Sequence, residues 1–215
     1  MDDGLTPRSA PAFLKVLASG SSGNCSVLLP QGDPRGGFWM IDDGLSPRRA
    51  RRLLNDASLC MDQLLGGIVT HLDSDHWYPG WMDMLPAGVR VLVHANHIEH
   101  GRRTGLLNDR AESISGTVRL ADGLIAAALL AAHDELGCAA FRFEFDTPAG
   151  AATLGFATDV GRADQPLLDH LRDVDVLAIE SNYCPRLQAR SGRPWFLRQR
   201  ITSGAGHLSN QQCAA

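Results

Sequence analysis

The sequence predicts a single α/β (α+β) domain with two β-sheets or one large mixed sheet. Short apolar runs separated by turn-forming residues dominate early, amphipathic helical stretches are interspersed, and no repeat or low-complexity segment breaks the pattern. A chain of 215 residues, 44% hydrophobic, can bury one sizeable core and is short for two full domains.

The elements follow in order. A strand is predicted over residues 13–18, then the small-residue loop SGSSGN at 19–24, then a strand through Val27, Leu28 and Leu29. A Gly-Asp-Pro-Arg-Gly-Gly turn at 32–37 leads into a strand over 38–41 that runs out onto Asp42, Asp43 and Gly44. Ser46 and Pro47 form an N-cap and first-turn pair for a helix with Ala50, Leu53 and Leu54 on one face. Arg48, Arg49 and Arg52 project from the other face; a solvated surface is the simpler reading, and phosphate binding is secondary. The apolar run 64–70 delivers His71 to a strand's C-terminal end, where ligands gather in layered α/β sheets. Further on come a strand over 89–93, a strand or buried segment over 124–132, and a hairpin pair over 139–145 and 151–157. A helix over 164–171, with Pro166 in its first turn, and a strand over 174–179 complete the set.

The net charge of -4 argues against coating nucleic acid through bulk positive charge, but a local basic groove would not register in that sum. Lys15 is the only lysine, a skew that carries no functional weight. Five scattered cysteines without CxxC spacing read as small buried thiols, not a disulfide framework or a cysteine zinc site. The acidic start at Met1-Asp2-Asp3-Gly4 lacks an apolar leader segment and no run has membrane-span length, so cytoplasmic residence without a membrane partner is the expectation.

The chemistry is concentrated in His71-Leu72-Asp73-Ser74-Asp75-His76. Four side chains that can bind a cation fall within six positions after an apolar strand. Neither a helix nor a strand would aim all of them at one point, whereas a loop wrapped around cations would. A polar turn with chance histidines is the bland alternative. Against it, two more apolar runs end on ligand-type residues, at His133-Asp134 and Thr158-Asp159. His94, His97 and His100 have roughly helical spacing with Glu99 as the one carboxylate beside them, and read as solvated histidines. His170, at a helix end, suits the helix dipole.

The order THxDxDH at 70–76, HD at 133–134, TD at 158–159 and GHLSN at 206–210 resembles the metallo-β-lactamase superfamily. SGSSGN at 19–24, the stretch Ile41-Asp42-Asp43-Gly44-Leu45-Ser46 and ESNY at 180–183 resemble, more narrowly, its YycJ/WalJ-like group, related to the nuclease branch. The resemblance implies an αββα sandwich of two mixed sheets flanked by helices. It implies two divalent metal ions, zinc or manganese: His71, Asp73 and His133 on one, Asp75 and His76 on the other, and Asp159 bridging them. Metals roughly 3.5 to 4 Å apart can activate a water and stabilise a leaving oxygen, which suits phosphodiester hydrolysis. Likeness to the tRNA-processing members implies that His207 protonates the leaving group while Glu180 orients it, with Asp75 the third catalytic group. A metal ligand or a capping residue is the alternative for His207. Ser21, Asn24, Asn182 and Ser209, in the matching segments, are the implied substrate-binding residues.

Two departures from the family pattern stand out. Asp73 occupies the place of the family's second histidine; three carboxylates and a hydroxide would neutralise two divalent cations and tilt preference toward harder ions such as manganese. The resembled proteins also continue past GHLSN through a helix and a strand to another HLS histidine that completes the second metal. The domain 1–215 is therefore expected to lack that strand and helix: the chain is a fragment, or the second site is weak, or His207 substitutes.

The leading reading is a dinuclear phosphodiesterase or nuclease acting on DNA or RNA. A small-molecule hydrolase acting on a thioester, lactone or cyclic phosphate is the runner-up, and a non-catalytic metal-binding module is the reading from another class. A narrow, weakly charged pocket favours the second and an arginine-lined groove the first. Oligomeric state is left open.

Overall fold

The computed structural model describes residues 11–31, 36–148 and 150–215. Six strands form the first sheet in the order β1 (Ala12–Ala18), β2 (Cys25–Pro30), β3 (Phe38–Ile41), β4 (Leu64–Val69), β5 (Arg90–His94), β6 (Ala111–Ile114). β1–β2–β3 are antiparallel and β3 to β6 parallel. The second sheet runs β11 (Val176–Ile179), β10 (Gly150–Ala157), β9 (Cys138–Thr147), β8 (Leu124–Ala131), β7 (Gly116–Ala121), antiparallel except for β10–β11. Two mixed sheets flanked by helices are the predicted αββα arrangement.

Period-two alternation explains the stacking. Along the first sheet, Leu28, Trp39, Ile41, Ile68 and Leu92 face the second sheet, where Phe141, Phe143, Phe145, Leu154 and Phe156 meet them. The residues between them, Val27, Phe38, Met40, Val69, Val91 and Val93, point the other way, onto a helical layer. That layer holds α1 (Pro47–Asp56), α2 (Trp81–Met84) and α3 (Ala95–Arg103), with Ala50, Leu54, Trp81 and Met82 buried in it. A first sheet apolar on both faces is what parallel pairing with crossover helices requires. The outer face of the second sheet carries a smaller cluster in which Ala140 and Ala157 meet Leu167 of α4 (Gln165–His170) and Leu208.

Three short helices end the chain: α5 (Pro185–Arg190), α6 (Trp195–Thr202) and α7 (Asn210–Cys213). Among the described residues no helix is long and apolar enough to cross a membrane. Most of the turn expected at 32–37 lies outside the described residues.

Two expectations need correction. His97 is not solvated: it is buried, on the same face of α3 as buried Gly101, which itself packs against Leu72 and Leu107. The inner stripe of α3 is thus made of a histidine and a glycine, which an apolar-periodicity reading passes over. Of the five cysteines, all unpaired, only Cys25 and Cys138 are buried; Cys60 is exposed, and Cys184 and Cys213 are half-buried.

Candidate metal centre

The strand directions bring the site together. β3 and β4 are parallel neighbours, so the residues after them, Asp42 and Thr70-His71, emerge side by side, and the Asp42 N–H donates to Ile68 O (2.9 Å). In the second sheet β8, β10 and β11 share one direction and release His133, Asp159 and Glu180 at the same edge. The Glu180 N–H donates to Ala157 O (3.0 Å). The carboxyl ends of strands from both sheets therefore face one space, where such folds place ligands.

Backbone contacts then lock three loops. Asn24 N–H donates to Asp75 O (2.7 Å), Asp43 N–H to His76 O (2.7 Å) and Gly44 N–H to Asn24 O (3.0 Å). A Cβ on Gly44 would lie 1.8 Å from Asp75 O, so only glycine allows this approach. Residues 73–76 form a tight turn, with His76 N–H and Trp77 N–H both donating to Asp73 O (2.8 Å). Buried Trp77 anchors it by donating from Nε1 to Leu106 O (2.9 Å).

Among the described residues, His71, Asp73 and His133 offer ligand atoms within 4.8 Å of one another, as do His71, His76 and Asp159, and also Asp159, Glu180 and His207. The rings of His71 and His76 are 4.1 Å apart, His71 and His133 5.2 Å, and His133 and His207 5.5 Å. Asp159 Oδ2 touches His76 Nε2 and lies 3.8 Å from His71 Nε2, while Oδ1 lies 2.8 Å from His207 Nδ1. Asp73 and Asp75 reach in from the half-buried turn, each with Oδ2 3.9 Å from the Nε2 of His71 and His76, respectively. Arg200 of α6 places Nη2 3.9 Å from Asp73 Oδ2.

Whether these residues fit a cation is decided at the opposite side of each ring. His76 Nδ1 donates to Asp42 Oδ2 (2.8 Å), and His133 Nδ1 to Gly206 O (2.9 Å). His71 Nδ1 is 3.1 Å from Thr70 Oγ1, whose hydroxyl is held by Asp42 (2.9 Å). All three histidines thereby turn Nε2 toward the carboxylates, the orientation in which metal-ligating imidazoles are fixed. Nitrogen and oxygen donors in this proportion fit a divalent transition metal. Asp42 is the residue that sequence reasoning passed over. Its signal was there, as an aspartate ending an apolar strand; it adopts φ 60°, which Asp tolerates better than most side chains.

Electrostatics separates the histidines. Burial, reinforced by the charge on His76, pushes His71 down to about 2. For His76 burial is outweighed by Asp42 and Asp159, which push it up to about 11. His207 is likewise pushed up to about 9, burial being outweighed by hydrogen bonds to Asp159 and Glu180. Burial would raise Asp159, yet the bonds from His207 and His76 hold it well below the usual carboxylate range.

Glu180 accepts from Asp159 N–H (3.0 Å), Val160 N–H (2.8 Å) and Leu208 N–H (3.0 Å), and its Oε2 is 3.2 Å from His207 Nδ1. It ties the Asp159 loop to the GHLSN segment. An open cavity of about 340 Å³ lies over the centre, lined by Ser21, Asn24, Asp75, His76, Asp159, Glu180, Asn182 and His207. Asn24 places its amide nitrogen 2.9 Å from His76 Nε2. Ser209 is not in the cavity: it is buried and caps α7, accepting from Gln212 N–H (3.2 Å). Of the α1 arginines, Arg49 donates to Ser22 O (3.0 Å) and so steadies the SGSSGN loop.

Layering, strand order and site position define the chain as one of metallo-β-lactamase fold. Solved structures agree: a metallo-β-lactamase of Cronobacter sakazakii matches with TM-score 0.56 at 16% identity, covering 79% of this chain and 77% of its own. The short form of human tRNase Z matches with TM-score 0.63 at 12% identity, covering 94% and 86%. Among curated proteins, the chain is similar to exodeoxyribonuclease WalJ of Streptococcus pneumoniae, 26% identical over 206 residues, which are 93% of this chain and 73% of that protein. No family model matches the sequence.

Proposed function

We propose that the protein is a metal-dependent phosphodiesterase that hydrolyses nucleic acid, with DNA as the first substrate to test. The observation that carries this is the convergence of His71, His76, His133 and Asp159 in a stretch similar, along 93% of the chain, to an exodeoxyribonuclease.

His71, Asp73 and His133 would hold one divalent cation and Asp75 and His76 a second, with Asp159 between them. Bound cations supply Lewis acidity at the phosphoryl oxygens and a nucleophile from water at neutral pH. The chain's own residues do the rest. Asp42 orients His76 directly and His71 through Thr70. Glu180, pinned by three backbone N–H groups, holds the His207 ring by Nδ1 and leaves Nε2 to give a proton to the leaving oxygen. Ser21, Asn24 and Asn182 line the path by which substrate reaches these groups; Ser209 acts on it only through the α7 cap.

The test is hydrolysis of end-labelled DNA and of bis(p-nitrophenyl) phosphate by purified protein with added manganese or zinc, alongside metal content by mass spectrometry. Two metals per chain with cleavage of both substrates support the reading. Metal-loaded protein that cleaves neither overturns it, and cleavage of the small diester alone favours a small-molecule hydrolase. Asp159→Ala should lose metal and activity together, whereas His207→Ala should lose turnover by about 100-fold or more with metal retained; loss of metal in His207→Ala would make His207 a ligand.

A further inference from the structure

The residues from Ser181 to Ala215 include five arginines and no Asp or Glu, although the whole chain carries a net charge of -4. Within this stretch Leu187 and Trp195 are each 70% exposed and Phe196 62%. Arg186 and Arg190 lie exposed on neighbouring α5, and no residue of α6 is buried. Packing within the described residues therefore does not account for the aromatic pair.

This surface is continuous with the metal centre at two points. Asn182 lines the cavity over the centre, and the next residue, Tyr183, lines an open groove between α5 and α6 shared with Gln188 and Trp195. At the other end of α6, Arg200 reaches Asp73. A helix rises about 1.5 Å per residue, so Trp195 and Phe196 lie within about 8 Å of Arg200 along the axis.

Cations of one sign with no acid among them fit a polyanion. Exposed rings add a requirement that a duplex does not meet, because paired bases keep their faces stacked on each other. An unpaired strand offers both phosphates and free base faces. We propose that the α5–α6 surface is a platform for single-stranded nucleic acid: bases stack on Trp195 and Phe196, Arg186 and Arg190 follow the backbone, and Arg200, at the rim beside Asp73, draws the phosphodiester toward the metal centre. This rests on the phosphodiesterase reading of the centre and gives it a substrate class.

Trp39, Trp77 and Trp81 are buried, so of the four tryptophans Trp195 is the one a stacking base can reach. The experiment titrates metal-loaded protein with phosphorothioate-linked oligo(dT), which resists cleavage, and follows tryptophan emission and anisotropy. Emission should be quenched by the single strand and little changed by a duplex of equal length, with affinity falling as salt rises. Trp195→Ala/Phe196→Ala should weaken binding about tenfold or more, with melting temperature and metal content as in the parent. Trp195→Phe should restore most of the affinity, and Arg186→Gln/Arg190→Gln should flatten the salt dependence. Equal binding by parent and double variant overturns the platform, as does equal quenching by single strand and duplex. If no oligonucleotide binds, the platform is likewise overturned. A parent protein that hydrolyses bis(p-nitrophenyl) phosphate yet binds no oligonucleotide refutes the platform alone; Trp195-dependent binding without hydrolysis of that diester refutes the phosphodiesterase reading alone.

Discussion

Asp42 Oδ2 accepts a 2.8 Å hydrogen bond from His76 Nδ1, and both side chains are buried at the junction of β3 with the turn at 73–76. The same carboxylate takes the Thr70 N–H (2.8 Å) and the Thr70 hydroxyl, which in turn faces His71. One residue outside the expected ligand set thus orients two members of that set.

Asp42→Asn keeps the shape and tolerates the positive φ, but it replaces an acceptor oxygen with an amide and removes the charge behind His76. Metal affinity should fall about 10- to 100-fold, the range for losing such an outer partner. Competition with a chromogenic chelator measures it. Unchanged affinity would mean that burial alone orients His76.

The protons on the histidines couple metal binding to pH. In metal-free protein at neutral pH, His76, pushed up to about 11, is protonated, and a cation must displace that proton; His71, pushed down to about 2, is already neutral. Affinity at a site using His76 should therefore rise with pH, by about tenfold per unit for each proton released. Calorimetry in buffers of different ionisation enthalpy counts the protons. Zero released at pH 7 contradicts either the assignment of His76 as a ligand or its raised value.

Much of this was legible in the sequence because it depends on local patterns. The alternation in β3 to β5, the Ser46-Pro47 helix start and the three strands ending on His71, His133 and Asp159 need no tertiary knowledge. What was missed depends on partners distant in sequence. Asp42 matters through Thr70 and His76, 28 and 34 positions away. His97 is buried on α3 with Asp134 and Gly137, far along the chain, among the groups that act on it, and Arg200 becomes part of the site through Asp73. Ser209 was assigned to substrate from its motif, while its helix cap takes it out of the cavity.

Asp43, beside Asp42, is buried with neither carboxylate oxygen hydrogen-bonded among the described residues. Burial, then the neighbouring Asp42 charge, raises its pKa well above the usual range. The folded state thus keeps a proton that the unfolded chain loses above about pH 4, so this group's contribution to stability falls as pH rises from there. Removing the unpartnered carboxyl should gain about 1–3 kcal/mol against about 1 kcal/mol for the small void left behind. Asp43→Ala should raise the melting temperature by about 2–4 °C at pH 8 and by less at pH 5. A lower melting temperature at pH 8 would show that the carboxyl has a stabilising partner.

Asp73 carries the last prediction. It lies 3.9 Å from His71 Nε2 and from Arg200 Nη2, a carboxylate among histidines with a cation behind it. With Asp75 and Asp159 it makes the donor set rich in oxygen, which favours manganese over zinc relative to an all-imidazole site. Asp73→His exchanges a hard anionic donor for a softer neutral one and removes the attraction to Arg200. The ratio of zinc to manganese affinity should rise by about tenfold, with the activity ratio following. Parallel titrations of parent and variant with both metals give that ratio. If the parent already prefers zinc strongly and the variant leaves the ratio unchanged, Asp73 does not set metal choice, and its contacts with His71 and Arg200 serve the shape of the site instead.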